Sequence, residues 1–375
     1  MNLINLGFLY IIFKFLSCAN CESSGFDVFY KLITKGYDNN ENSAHLKDES
    51  KMIIIDTDAG SDDGVAILNF LGAEVWTGGV KTIFITTVFG NTDVDNVGKN
   101  VLKILKTANR LDIPIYKGLN NSILGTSVMD KYFGEDGFGD FYFPDLPSTD
   151  LIQKKSGVNA LIEAVSSNPG VYTMVCLGPL TNIALAMKLD PTFLKNLKDI
   201  YVLGGSDSGI GNIYPGVEFN FYMDPEAAFI VFKEAERVNK IINLVTWETV
   251  FKRTNISTEW RKNVLGMIST PMIDLINKAE SKNLIYEKWS SADCILSSVV
   301  IDSKLIKSEV YDHLDVETCG NHARGSIFLN HDFIKNLTCN VRLIKKINNK
   351  LYKKMLIQNF SLKKKKKLSD DNSNY

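Results

Sequence analysis

Four aspartates fall within eight residues in the run Asp56-Thr57-Asp58-Ala59-Gly60-Ser61-Asp62-Asp63, directly after the apolar stretch Ile53-Ile54-Ile55. At the tip of a buried strand such carboxylates repel one another, and a shared cation is the simplest way to hold them together. The donors are hard oxygens with no histidine or cysteine among them, which favours calcium or magnesium over zinc. Gly60 is read as the residue that permits a sharp turn. Asp62 and Asp63 are read as the opening of a helix, where the helix dipole also favours negative charge. Capping on an acidic surface loop is the plainer reading, but it explains one such aspartate rather than four.

A second polar group lies at Asn212, Glu218 and Asn220, after Leu203-Gly204-Gly205 and before Asp224-Pro225-Glu226. Two amides and a carboxylate from one stretch offer the donors and acceptors needed to hold several sugar hydroxyls, and ordinary turn chemistry explains the same trio equally well. Asp224, followed by proline, reads as a helix cap. Neither GxSxG nor GxxxxGKS occurs, which removes support for serine hydrolase and P-loop chemistry. The four histidines, His45, His313, His322 and His331, fall outside both groups.

Short apolar runs alternate with helical patterns and so provide the elements that must position these residues. The runs are 52–56, 82–88, 171–177, 200–205 and 241–247; the helical segments are 62–72, 94–109, 157–167, 180–188 and 224–236. Continuous apolar runs bounded by turn residues indicate strands buried on both faces. The alternation therefore predicts a single α/β domain over 51–358, a mainly parallel central sheet flanked by helices with a Rossmann-like core. In such sheets ligands bind at the carboxyl ends of the strands, where both polar groups fall.

A net charge of -1 on 375 residues gives no global field for nucleic acid, so a small ligand recognised locally is expected. Residues 1–19 carry the apolar run Leu6–Phe13 and then Ser17-Cys18-Ala19, which predicts a cleaved signal peptide and a secreted protein with no stable membrane insertion. Residues 20–50 form a polar leader, and 359–375, with Lys363–Lys367, a disordered lysine-rich tail. Removal of the leader peptide leaves five cysteines, hence at least one free thiol. Sequons at Asn120, Asn255, Asn336 and Asn359 permit glycosylation on export.

The ordered set of motifs resembles the inosine-uridine nucleoside hydrolase family, whose amino-terminal signature has the form DxDPGxDD. The matching residues are Asp56, Asp58, Gly60, Asp62 and Asp63, with Ala59 where proline is usual. Thr87-Val88-Phe89-Gly90-Asn91, Gly134–Gly139, Leu177–Asn182, the Asn212/Glu218/Asn220 block and Val316-Glu317-Thr318 follow in the family's order, so the resemblance spans about 52–345. It implies hydrolysis of ribonucleosides to ribose and free base, with a calcium ion held by Asp58, Asp63, the main-chain carbonyl of Leu177 and Asp293. Asp58 would serve as general base, with Asn91 beside it in the catalytic set. Asp62, Asn91, Asn212, Glu218 and Asn220 would grip the ribose, and Phe133 and Trp289 would meet the base, unless both are ordinary core. Some members carry a histidine before the distal aspartate; here that position is Ala292. Homo-oligomers, dimers or tetramers, are the implied assembly.

Two rivals remain at this level. Asp56-Thr57-Asp58 also fits the opening of haloacid dehalogenase-type phosphatases, although Ala59-Gly60 lacks the threonine or valine expected next. A secreted nucleoside-binding protein that has lost turnover would retain the same site. Its unused like charges would be costly to keep.

Overall fold

The computed structural model describes residues 50–125, 131–331 and 335–361. The expected signal peptide, nearly all of the polar leader and the lysine run lie outside the described residues.

Strand β1 (Lys51–Thr57) is central and leads into helix α1 (Ser61–Trp76). Strand β2 (Val80–Thr87), helix α2 (Val94–Thr107) and the short strands β3 (Ile115–Lys117) and β4 (Ile152–Gln153) build out one side. The chain then returns through α3 (Gly157–Ser167) to β5 (Tyr172–Cys176) on the other side of β1, and continues through α4 (Thr181–Leu189) to β6 (Asp199–Leu203). Helices α5 (Phe219–Met223) and α6 (Pro225–Val238) lead to β7 (Ile242–Val245), followed by α7 (Pro271–Ala279) and α8 (Ala292–Ile301). Strands β8 (Ile306–Asp312), β9 (Leu314–Val316), β10 (Ile327–Leu329) and β11 (Val341–Ile347) and helix α9 (Asn349–Ser361) complete the described chain. The nine-stranded sheet runs β4-β3-β2-β1-β5-β6-β7-β11-β8, with β9 and β10 forming a separate antiparallel ribbon. Every pairing in the large sheet is parallel except that of β8 with β11.

The isoleucine run shows why this strand sits in the middle. Ile53 and Ile55 enter one hydrophobic cluster and Ile54 the other, all fully buried, because successive side chains point to opposite faces of a sheet covered on both sides. The five predicted strands and five predicted helices are all present, with ends shifted by a few residues at most, except that α1 runs four residues further, to Trp76. The antiparallel edge strand β8 was not expected; five of its seven residues are exposed, so it lacks the continuous apolar run that marked the others.

One boundary and one sequon are corrected. Helix α9 runs through Ser361 with Asn359 and Phe360 buried, so the folded chain passes the expected limit at 358. The sequon at Asn359 is therefore no acceptor in the folded protein: its amide is buried and donates to Asn69 Oδ1 at 2.8 Å. Asn120, Asn255 and Asn336 are exposed. Among the described residues Cys176 and Cys294 are buried free thiols and Cys319 is an exposed one. Among the described residues no helix is long and apolar enough to cross a membrane.

Candidate active site

The chain reverses its direction of growth across β1, and a crevice of about 660 Å³ opens at the carboxyl ends of the strands around that point. Each neighbouring strand contributes to its rim: Asp58 after β1, Asn91 after β2, Leu177 after β5, and Trp247 after β7.

The turn between β1 and α1 is built differently from the sequence expectation. The left-handed residue is Ala59, at φ 38°, whereas Gly60 has an ordinary φ of -70°. Gly60 is required for space: a Cβ there would lie 2.5 Å from Asn91 Nδ2 and 2.9 Å from the Phe133 ring. Ala59, standing where the signature has proline, uses the N–H that proline lacks to donate to Thr57 Oγ1 at 3.0 Å. Thr57 Oγ1 in turn donates to Asp63 Oδ1 at 2.5 Å, and Gly60 N–H donates to Asp63 Oδ2 at 2.9 Å. Asp63 is thus fixed before any ligand arrives.

Carboxylate oxygens of Asp62, Asp63 and Asp293 all lie within 4.8 Å of one another. Asp293 enters from the first turn of α8, is buried, and its Oδ1 has no hydrogen-bond partner. An orphaned, buried carboxylate oxygen among other carboxylates fits a hard divalent cation and little else. Asp58 lies outside this tightest group, because Asn91 N–H holds its Oδ2 at 2.9 Å and the backbone of Gly90 closes on it. A Cβ at position 90 would come within 2.0 Å of that carboxylate. Asp58 remains close enough to Asp63 and Asp62 for their charges to be felt. The carbonyl of Leu177 borders the crevice and already accepts from Asn220 Nδ2 at 2.7 Å.

The electrostatics carry the same message. Burial, and then the neighbouring negative charges, push the Asp58 and Asp293 carboxyls well above the usual range, and Asp62 and Asp63 are raised as well. Asp56, beneath the site with Oδ1 held by Thr86 and Asn182, is raised to about 7, mainly by burial. Without a cation, the folded chain therefore holds protons that the unfolded chain has released above about pH 4. The stability these protonated groups contribute is fully present below the unfolded pKa and is lost as pH rises through the folded values. Chelated protein is expected to melt at a lower temperature at about pH 7.5 than at about pH 5. Thermal unfolding in the two buffers checks this, and a higher melting temperature at the higher pH would contradict it.

The second polar group faces the same crevice. Glu218 caps α5, accepting N–H bonds from Gly205, Asn220 and Phe221, and burial raises it to about 7. Asn212 Oδ1 accepts from Phe219 N–H at 2.8 Å, which leaves its amide nitrogen as a donor. Asn220 spends its amide nitrogen on the carbonyls of Leu177 and Leu203, which leaves its oxygen as an acceptor. The turn reading of this trio holds, and all three residues also line the crevice. Asp224 lies outside it and caps α6, as expected.

Phe133 borders the crevice, packed edge-to-face on Tyr132. Trp289 also borders it but is 7% exposed, its indole N–H fixed to Glu280 Oε1 at 2.7 Å. Two crevice aromatics, Trp247 and Phe251, were missed by sequence reading. Their four-residue spacing was the available signal, hidden because Trp247 ended an apolar run read as strand.

Fold and rim together define a doubly wound α/β protein that gathers a cluster of carboxylates and the Asn212, Glu218 and Asn220 side chains at the carboxyl ends of its strands. The chain belongs to the inosine-uridine preferring nucleoside hydrolase family, whose model matches residues 53–354. Among curated relatives, it is 38% identical over 197 residues to uridine nucleosidase 1 of Arabidopsis thaliana, covering 52% of this chain and 57% of that one. It is 28% identical over 284 residues to a pyrimidine-specific ribonucleoside hydrolase of Shewanella woodyi, covering 74% and 87%. The matches to four plant uridine nucleosidases span 56% to 60% of those proteins' length. A solved inosine-guanosine nucleoside hydrolase superposes with a TM-score of 0.76 at 26% identity, covering 83% of this chain and 98% of the other. A plant nucleoside hydrolase gives 0.74 at 26%, covering 84% and 99%.

Proposed function

We propose that the protein hydrolyses the N-glycosidic bond of ribonucleosides, releasing ribose and a free nucleobase. The observation that carries this is the union, in one crevice, of the Asp62/Asp63/Asp293 group with the hydroxyl-matched amides of Asn212 and Asn220. Asp62, Asp63 and Asp293, with Asp58 and the Leu177 carbonyl at the margin, would hold the cation, and we take it to be calcium because the donors are all oxygen and loosely arranged. When bound, calcium supplies the positive charge that keeps these carboxylates ionised and a Lewis acid for pentose oxygens.

Asp58 takes the proton from the attacking water, its carboxylate aimed by Asn91 N–H. Asn212 donates to a sugar hydroxyl and Asn220 and Glu218 accept from others, which fixes C1′ for attack. The surrounding negative charge stabilises the oxocarbenium character that develops at the ribose. The base leaves toward the aromatic side of the crevice; Ala292 brings no proton there, so aromatic contact must ease departure. Phosphatase chemistry is not favoured, since no relative or fold neighbour described above is a phosphatase. We also read the protein as exported, on the strength of Leu6–Phe13 and the small residues that follow, and as a homo-oligomer.

The test is release of reducing sugar from inosine, guanosine, adenosine, uridine and cytidine, with calcium and then with chelator. Release that depends on calcium is expected. No release from any of the five rejects the proposal, and equilibrium binding without release selects the silent binder.

A further inference from the structure

The wall of the crevice formed after β7 is an aromatic stack that the reaction scheme leaves without a role. Trp247 follows β7 directly, and Thr249–Arg253 form a turn of π-helix, a rare geometry that recurs at functional sites. Phe251, in this turn, lies flat against Trp247, with ring centroids 5.5 Å apart and planes within 9° of parallel. Lys288 Nζ sits over the Phe251 ring, 6.0 Å from its centroid. Both aromatic rings border the crevice; Trp247 is half-buried and Phe251 is 44% exposed.

Between them in sequence, Glu248 is fully buried and points the other way. Its carboxylate accepts from Ser206 Oγ at 2.5 Å and from the backbone N–H groups of Asp207, Ser208 and Ile210 at 2.7, 3.2 and 3.0 Å. Ser206 Oγ accepts in turn from Gly211 N–H, and Trp247 N–H donates to the Gly205 carbonyl. Asp207 is clamped by Arg253, at 2.8 Å, and by Lys345. A single carboxylate therefore locks the 205–211 loop, which leads to Asn212, onto the turn that presents Trp247 and Phe251.

We propose that Trp247, backed by Phe251, is the specificity-determining surface on which the planar base of the substrate stacks, and that Glu248 is the residue that positions it. The inference rests on the nucleoside reading above and adds to it where the base lies. Stacking of a base on an aromatic ring is tolerant of base identity, because every base offers a π-face, so the stack selects for a flat leaving group rather than for one pattern of hydrogen bonds.

The experiment measures inosine and uridine kinetics, the inhibition constant of D-ribose, and equilibrium binding of free hypoxanthine and uracil, all on the full chain with calcium. Trp247→Ala is expected to raise KM for both nucleosides about tenfold and to weaken free-base binding by a similar factor. The ribose inhibition constant should stay within about twofold, since free ribose has no π-face to stack. Trp247→Phe, which keeps a flat ring, should recover most of the loss. Glu248→Gln sets an amide against the Asp207 N–H, and should raise KM and weaken free-base binding several-fold while kcat holds; a fall in kcat with free-base binding unchanged would make Glu248 a general structural residue and overturn its positioning role. Unchanged KM and base binding in Trp247→Ala overturns the inference even if the wild type is an active hydrolase. If the wild type releases no ribose, the nucleoside reading fails, and base binding still decides this one: loss in Trp247→Ala supports the stack, retention overturns it.

Discussion

Asp293→Asn is expected to change stability and activity in opposite directions. Asp293 Oδ1 is buried with no partner, and the side chain is raised in pKa by burial and by Asp63, Asp62 and Asp58. Asparagine keeps the shape, removes one of the mutually repelling acids, and brings an amide that can donate to the carboxylates that remain. Chelated Asp293→Asn protein should gain about 1–3 kcal/mol, a rise of roughly 2–4 °C in melting temperature for each kcal/mol in a domain of this size. Nucleoside hydrolysis should fall by at least about 10³-fold, because the cation loses a ligand and the pentose its anchor. Added calcium, which should raise the melting temperature of the wild type, should no longer do so in the variant. Thermal unfolding with and without calcium, beside ribose release, checks all three; a variant less stable than the wild type under chelation would show Asp293 to be a structural residue instead.

Asp58→Asn should separate chemistry from binding. Its oxygen can still accept the Asn91 N–H bond, so the turn is preserved, but the group that receives the proton from water is gone. The expected loss in kcat is about 10²–10⁴-fold with KM moved far less. Single-turnover ribose release measures it. Undiminished kcat would remove Asp58 from the role of base.

Much of this arrangement is legible in the chain. The Ile53-Ile54-Ile55 run announces a strand covered on both faces, and the carboxylates at its end announce a cation, because like charges in that position need compensation. Caps were readable too: Asp224 before Pro225 caps α6 as its type and neighbour require. What the sequence hides is geometry set by distant neighbours. Gly60 looks like a turn glycine, yet the turn falls on Ala59 and Gly60 is glycine because Asn91 and Phe133 crowd it from other parts of the chain. The resemblance assigns Asp58 to the cation and Asp62 to the ribose. Only the backbone at Gly90 and the N–H of Asn91 draw Asp58 aside and leave Asp62 with Asp63 and Asp293. Glu248 is the clearest case, since four of its partners lie some forty residues earlier and no local pattern marks a carboxylate that ties down a remote loop.

Titration calorimetry of D-ribose into the protein, with calcium and after its removal, probes the heart of the account: that one cation both reconciles the buried acids and gives the sugar its seat. Binding is expected when calcium is present and should vanish in its absence. Equal ribose affinity under both conditions would mean that the sugar is held without the ion and that the carboxylates serve some other end.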